Sequence, residues 1–135
     1  MALFLVQHGK SLSKDIDPDQ GLSIEGIDEV ERIATVAKEY SIKISKINHS
    51  TKTRARQTAE IFASALKPPG GIHEKRGLKP LDDVSAIADN IESKDNIMFI
   101  GHLPFMERLT AFLITEEVLI VNSILFSACI PGWAS

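Results

Sequence analysis

The sequence predicts an α/β fold, a three-layer α/β/α sandwich with a mostly parallel central sheet. Two short apolar runs, residues 2–6 and 97–100, are typical of strands buried on both faces. Segments with apolar residues at helical spacing lie between the predicted strands. This alternation of strand and helix is the pattern of a parallel sheet covered by crossover helices. With 135 residues, the chain is expected to form a single domain over residues 1–135.

The bulk composition is that of an ordinary globular domain. Hydrophobic residues make up 44% of the chain, and the formal net charge of -3 argues against nonspecific binding of nucleic acid. The single cysteine, Cys129, excludes an internal disulfide and suits a reducing compartment. No segment is long and apolar enough to predict a membrane span or a signal peptide. We therefore expect a cytoplasmic protein that has neither nucleic acid nor membrane as a partner.

The first half of the chain predicts two helices and a short strand. The spacing of apolar residues predicts a helix over about residues 23–40 that Ser23 caps. Gly26 lies inside this helix, and close packing near an active loop would explain it. Residues 45–50 predict a strand near an edge of the sheet, because the segment is only weakly apolar. A second helix is expected over residues 52–66, capped by Thr51 or Thr53 and ended by residues 68–71.

The second half completes the alternation. A brief extended segment over residues 72–74 leads into a polar loop and a third helix with an apolar face. A buried strand follows over residues 96–100, and a fourth helix starts near Pro104. Two final apolar runs, residues 118–121 and 124–130, predict strands. The apolar face of the third helix is formed by Val84, Ile87, Ala88 and Ile91.

Candidate functional residues follow three predicted strands. His8 ends the first strand, and Gly9 would permit a sharp exit that leaves the imidazole exposed; His102 ends the strand over residues 96–100. In open α/β sheets, ligands bind at the carboxyl ends of the strands. Arg54 lies in the opening turn of the second helix, where backbone N–H groups and a guanidinium favour an anion. Two imidazoles and an arginine around an anion indicate phosphoryl transfer to a histidine.

These residues lie in motifs that resemble the histidine phosphatase superfamily, also called phosphoglycerate-mutase-like. The family carries Arg-His-Gly after its first strand, Ser-x-x-x-Arg-Ala-x-Gln-Thr-Ala at its second helix, and Gly-His after a later strand. The resemblance spans roughly residues 3–126, with the motifs in the same order. It is closest to the small, SixA-like phosphohistidine phosphatases. The segments that carry it are residues 7–9, 21–26, 50–59, 78–80 and 101–105.

The resemblance implies a role for each matching residue. His8 would be the nucleophile that forms a phosphohistidine intermediate, and Arg54 would bind the transferred phosphoryl group. His102 would donate hydrogen bonds to that group, and Ser11 would help to form the phosphate pocket. No metal and no cofactor would be needed, because side-chain charge does the work. The expected partners are a protein that carries phosphohistidine, as substrate, and inorganic phosphate.

The chain departs from the family pattern in two places. Gln7 stands where the family has arginine, so it can donate hydrogen bonds to phosphate but supplies no charge; Lys10 is a candidate to restore some of it. Pro80 occupies the position of the general acid of larger relatives, which leaves Asp82 and Asp83 as candidates; both residues equally suit a helix cap. A missing acid favours phosphohistidine, whose imidazole leaves readily once protonated, over phosphate esters.

Two other functions stay open on the sequence alone. The loss of arginine at Gln7 allows a phosphate- or phosphoprotein-binding module with weakened catalysis. A broad phosphomonoesterase is the third hypothesis, and it requires a working general acid. The remaining histidines, His49 and His73, are expected to be surface residues and not ligands. A zinc site is not expected, because four scattered histidines do not match its spacing. Lys52 and Arg56 are expected to be solvated.

Overall fold

A computed structural model describes residues 4–76, 78, 96–102, 117–121 and 124–129. Within these ranges the chain forms six strands and two helices. The predicted third and fourth helices, the fourth starting near Pro104, lie outside the described residues. The helices are α1 (Ile24–Glu39) and α2 (Thr53–Leu66). The strands are β1 (Phe4–Gln7), β2 (Lys46–His49), β3 (Ile72–Glu74), β4 (Ile97–Gly101), β5 (Glu117–Val121) and β6 (Ile124–Cys129).

Four strands form a parallel sheet in the order β1-β4-β2-β3. Strands β5 and β6 pair antiparallel, and the backbone of β6 lies beside β1. The α/β class and the mostly parallel sheet are therefore confirmed. The register aligns Val6 of β1 with Ile100 of β4, and Ile100 with His49 of β2. This alignment brings the carboxyl ends of three neighbouring strands to one edge.

In the described sheet β2 lies near an edge as predicted, since it is the neighbour of the edge strand β3. It is nevertheless an interior strand, paired with β4 on its other side, and its residues Ile47, Asn48 and His49 are buried. Its polar residues are therefore not a sign of exposure. In the structure the imidazole of His49 is satisfied locally, because its Nδ1 donates to the carbonyl of Ser50 at 2.8 Å. A polar residue with a hydrogen-bond partner costs little in an interior strand.

Both faces of the sheet are covered by protein. Helices α1 and α2 pack on one face, where alternate strand residues join them in a single apolar cluster. The intervening strand residues, among them Leu5 and Phe99, are also buried. Two-sided burial explains the continuous apolar runs in β1 and β4. The cluster contains Phe4, Val6, Val30, Ala34, Ile44, Ile47, Ala55, Ala59, Phe62, Met98 and Ile100.

The start of α1 is fixed against the loop that follows β1. Ser23 caps the helix as predicted, since its Oγ accepts the N–H of Gly26 at 3.0 Å. A Cβ on Gly26 would lie 2.1 Å from the carbonyl oxygen of Lys10, which confirms close packing at this glycine. Gly9 is also required for space, because a Cβ there would lie 2.6 Å from Cγ2 of Val30. Its backbone does not enter the left-handed region, so a turn is not the reason for this glycine.

Helix α2 begins without a side-chain cap. Its N-cap residue is Lys52, so neither Thr51 nor Thr53 caps the helix and that prediction is wrong. The N–H of Lys52 instead donates to Oγ of Ser50 at 3.4 Å. The helix ends at Leu66 as predicted, followed by Lys67 in a left-handed conformation. Neither described helix is long and apolar enough to cross a bilayer.

Replacement of Gly26 by alanine is expected to destabilise the protein. Alanine improves helix propensity by about 1 kcal/mol, but overpacking against the Lys10 carbonyl costs roughly 1–3 kcal/mol. A backbone oxygen cannot move aside as a flexible side chain can, so we expect a net loss. Urea unfolding measures the effect, and Ser64→Ala on the exposed face of α2 serves as the control. A Gly26→Ala protein more stable than the native one would contradict the close contact.

Candidate active site

The two histidines that follow β1 and β4 face each other at the carboxyl edge of the sheet. Because these strands are neighbours, the rings of His8 and His102 lie with centroids 4.9 Å apart, at 65° to each other. The backbone N–H of His8 donates to the carbonyl of Gly101 at 2.9 Å. The two histidines that were predicted to end separate strands are thus brought together by the pairing of β1 with β4. His8 is half-buried rather than fully exposed, and His102 is buried.

The hydrogen bonds of His8 define its tautomer. Nδ1 lies 2.7 Å from the carbonyl oxygen of Gly9, which only accepts, so Nδ1 carries the proton. Nε2 therefore presents a lone pair, and Nε of Arg54 donates to it at 3.2 Å. Burial is the main cause that lowers the pKa of His8, with the Arg54 charge adding to it, against the opposing hydrogen bond to Gly9. At neutral pH the ring is neutral, with Nε2 in the form needed of a nucleophile.

His102 lies between a hydroxyl and a guanidinium. Its Nε2 is 3.0 Å from Oγ of Ser50, and its Nδ1 is 3.5 Å from Nη2 of Arg54. Burial first, then repulsion from His8 in its protonated form and from the charges of Arg54 and Lys52, lowers the pKa of His102 to about 3. His102 is therefore neutral at physiological pH in the ligand-free site.

Acid is expected to destabilise the folded protein through these two histidines. An unfolded histidine binds a proton near pH 6.5, whereas folded His102 resists protonation down to about pH 3. The unfolded chain thus takes up more protons, so the contribution present above pH 6.5 is lost as the pH falls toward 3. Urea midpoints between pH 7.5 and pH 4 measure the slope. His102→Gln should flatten it, and an identical slope in both proteins would contradict the shifted pKa.

Arg54 is held by a network that also reaches the loop after β1. Oγ1 of Thr58 donates to the carbonyl of Arg54 at 2.8 Å and accepts the N–H of Gly9 at 3.0 Å. One residue earlier, Oε1 of Gln57 accepts the N–H of Leu22 at 2.6 Å. The first turns of α2 therefore fix both Arg54 and the backbone beside His8. Burial lowers the pKa of Arg54, and the guanidinium remains charged at physiological pH.

Sequence reasoning missed the supporting residues Ser50, Gln57 and Thr58 as functional positions. Each lies in residues 50–59, the segment that carried the resemblance, but only its arginine was assigned a role. The residue types were the available signal, because a hydroxyl or amide at a strand end or in the first two turns of a helix commonly bonds to the backbone.

Gln7 occupies the last position of β1, opposite Gly101 in the register. Its Oε1 is buried, and it has no hydrogen-bond partner among the described residues. A buried amide oxygen without a partner is uncommon and calls for an explanation, such as a role with a ligand. Its predicted role in phosphate binding stays a prediction.

Other candidates lie around this centre. Ser11 forms an isolated antiparallel bridge to Leu22, and its predicted role in the phosphate pocket stays a prediction. Nζ of Lys10 is 2.9 Å from the Glu25 carboxylate on an exposed surface, so its charge is paired there. Arg56 is exposed, 3.8 Å from Glu60.

The remaining histidines differ in exposure. The prediction that His49 is at the surface is wrong, because it is buried at the end of β2. His73 is exposed as expected. The acid candidates Asp82 and Asp83 lie outside the described residues. Within the described part of the chain, no three His, Cys, Asp or Glu side chains form a group that could hold a metal.

His8, Arg54 and His102 therefore meet at the carboxyl edge of a parallel sheet, where open α/β folds bind their ligands. A family model, the histidine phosphatase superfamily (branch 1), matches residues 3–82. The chain belongs to this superfamily. No curated protein sequence matches the chain closely enough to count as a relative.

Solved structures share the fold over most of the chain. One is the protein histidine phosphatase SixA complexed with tungstate, with a TM-score of 0.77 and 25% identity over 93% of this chain and 94% of that one. A second is a putative phosphohistidine phosphatase SixA from Agrobacterium tumefaciens, with a TM-score of 0.70 and 25% identity over 84% and 77%. A mycobacterial glucosyl-3-phosphoglycerate phosphatase, at 13% identity and a TM-score of 0.63 over 83% and 79%, shares the fold. These structures confirm the phosphoglycerate-mutase-like fold and the similarity to the SixA-like branch.

Proposed function

We propose that the protein is a phosphohistidine phosphatase that acts on a protein substrate through an intermediate on His8. The observation that carries the proposal is the state of His8. Its Nδ1 proton is held by the Gly9 carbonyl, so the Nε2 lone pair faces the guanidinium of Arg54. A neutral imidazole beside a fixed cation is suited to attack phosphorus where the charged oxygens are stabilised.

The proposed reaction has two displacements. Nε2 of His8 attacks phosphorus while the bond to the substrate nitrogen breaks, and the departing imidazole takes up a proton. Arg54 binds the phosphoryl oxygens in both steps. Water then attacks the phosphorylated His8, which releases inorganic phosphate and restores the imidazole. Because Nε of Arg54 donates to Nε2 in the resting site, that hydrogen bond has to break before the attack.

Two considerations support phosphohistidine as the substrate. The solved SixA structures, at 25% identity, are described as histidine phosphatases, and one holds tungstate, an oxoanion with the shape of phosphate. The second consideration is the leaving group. An imidazole departs readily once protonated, whereas an ester alkoxide needs a positioned acid, a contribution of about 10²–10⁴ in rate. We place the protein in the cytoplasm, in keeping with the lone Cys129.

A substrate panel tests the proposal. We expect kcat/KM for a phosphohistidine protein to exceed that for p-nitrophenyl phosphate by at least about 100-fold, the low end of the contribution of a general acid. The variant Asp82→Asn, Asp83→Asn should lower only the ester reaction if either carboxylate is an acid. Equal or faster ester hydrolysis by the native protein would instead favour a broad phosphomonoesterase.

A second candidate function rests on Gln7. The family arginine is absent there, and the buried Oε1 has no partner among the described residues, so the pocket carries less positive charge than the family pattern implies. A binding module for phosphoproteins would need this pocket but no turnover. Incubation with a ³²P-labelled phosphohistidine protein separates the two functions. The enzyme forms an acid-labile adduct on His8, and a pure binder forms none.

A further inference from the structure

The carboxyl edge of the sheet holds a buried hydroxyl that the mechanism above does not use. Oγ of Ser50 is 3.0 Å from Nε2 of His102, and both residues are buried. The backbone fixes Ser50 from both sides: its N–H donates to the carbonyl of Ile100, and its carbonyl accepts from His49. Oγ also accepts the N–H of Lys52 at 3.4 Å. Ser50 is therefore an immobile partner for His102.

The opposite side of the His102 ring determines which nitrogen carries the proton. Nη2 of Arg54 lies 3.5 Å from Nδ1, and a guanidinium only donates hydrogen bonds. The contact is at the long limit of a hydrogen bond, and Nδ1 can take part in it only as the acceptor. In the neutral ring the proton is then on Nε2, which donates it to Oγ of Ser50.

The surroundings of His102 keep its imidazole from taking up a second proton. The ring of His8, the residue after β1, faces it at 4.9 Å; from α2 and the residue before it, Arg54 and Lys52 face it with positive charges. Among the described side chains, no carboxylate is paired with His102. Burial and these groups all oppose an imidazolium. The ligand-free site therefore offers a phosphoryl group an unprotonated Nδ1, which cannot donate a hydrogen bond.

We propose that Ser50 is a positioning residue that holds the unprotonated Nδ1 of His102 toward the phosphoryl site, so that the site binds a phosphoryl group together with one proton. The inference rests on the proposed role of His8, Arg54 and His102 as a phosphoryl site. The proton lies either on phosphate, as P–O–H donating to Nδ1, or on Nδ1, donating to P–O⁻. The two forms differ by a single proton transfer and carry the same total charge. The ligand recognised is thus a phosphoryl monoanion, or a dianion that gains a proton on binding.

Proton-linked binding tests the inference in the native protein. Inorganic phosphate is mainly a dianion at pH 8, since its second pKa is near 7. The second pKa of a phosphoryl group on a side chain is lower, about 6. Calorimetric titration with inorganic phosphate in buffers of different ionisation enthalpy should show uptake of about one proton per phosphate bound. Imidazole ¹⁵N spectra of the ligand-free protein should show His102 with its proton on Nε2. Binding with no proton uptake, or a proton on Nδ1 in the free protein, would overturn the inference.

A variant series isolates Ser50. Ser50→Ala should weaken phosphate binding roughly tenfold, the usual effect of one lost hydrogen bond, and give His102 a mixture of tautomers. Ser50→Thr keeps the hydroxyl and should restore the Nε2–H signal. Ser45→Ala, which removes a hydroxyl at the opposite end of β2, is the control and should change neither readout. Native tautomer and affinity in a folded Ser50→Ala protein would exclude the positioning role.

The test is independent of the proposed enzymatic function, because the calorimetry and the spectra need no turnover. A protein that binds phosphate with one proton but hydrolyses no phosphohistidine would retain the inference and refute the enzyme. Hydrolysis of phosphohistidine, together with phosphate binding that takes up no proton, would support the enzyme and refute the inference.

Discussion

The variant His8→Ala is expected to lower kcat/KM for a phosphohistidine protein by at least roughly 10⁴-fold, in line with the loss of other catalytic nucleophiles. Alanine removes the only ring whose unprotonated Nε2 lies against Arg54 in the described part of the site. The neighbouring His102 cannot replace it, because its Nε2 is bonded to Ser50 and its Nδ1 faces the guanidinium from another direction. The same variant should lose hydrolysis of p-nitrophenyl phosphate.

The matched control for this variant is His73→Ala. His73 is exposed, and its Nε2 bonds to the carbonyl of Gly70, away from the carboxyl edge of the sheet. The His73→Ala protein should keep native turnover, and its phosphorylated intermediate should still form. Labelled phosphoryl trapped from native protein should map to His8 and be released by acid. Unchanged turnover in His8→Ala, or label on another residue, would contradict the mechanism.

The sequence predicted the parts of the fold whose pattern is local. The apolar runs of β1 and β4, the Ser23 cap and the helical periodicity of α1 and α2 each depend on neighbouring residues, and all were confirmed. The meeting of His8 with His102 needed one further step, the rule that parallel strands end at a common edge.

The wrong α2 cap, which falls at Lys52 and not at a threonine, is a local error, whereas the other differences concern contacts between distant segments. The burial of β2 depends on the strands that flank it, and four residues of mixed polarity do not encode those neighbours. The buried state of His49 follows from the same neighbours. The roles of Ser50 and Thr58 depend on partners about 50 residues away, His102 and Gly9, which no periodicity connects.

A second large effect is expected at Arg54. Arg54→Ala should lower kcat/KM on the order of 10³-fold, because removal of a single donor to a transition-state oxyanion already costs about 10²–10³. Arg54→Lys should recover only part of this loss. Lysine restores the charge but not the planar fork that here reaches both His8 and His102, through Nε and Nη2.

The pH profile of Arg54→Ala separates its catalytic role from a structural one. The Arg54 charge contributes to the lowered pKa of His8, after burial, so its removal should raise that pKa toward the ordinary value of 6.5. A nucleophile with a higher pKa is protonated, and so inactivated, at higher pH. The acid limb of kcat/KM should therefore move to higher pH in Arg54→Ala and move less in Arg54→Lys, which keeps a positive charge. A large loss of rate with the acid limb in its native position would show that Arg54 acts on the phosphoryl group without tuning His8.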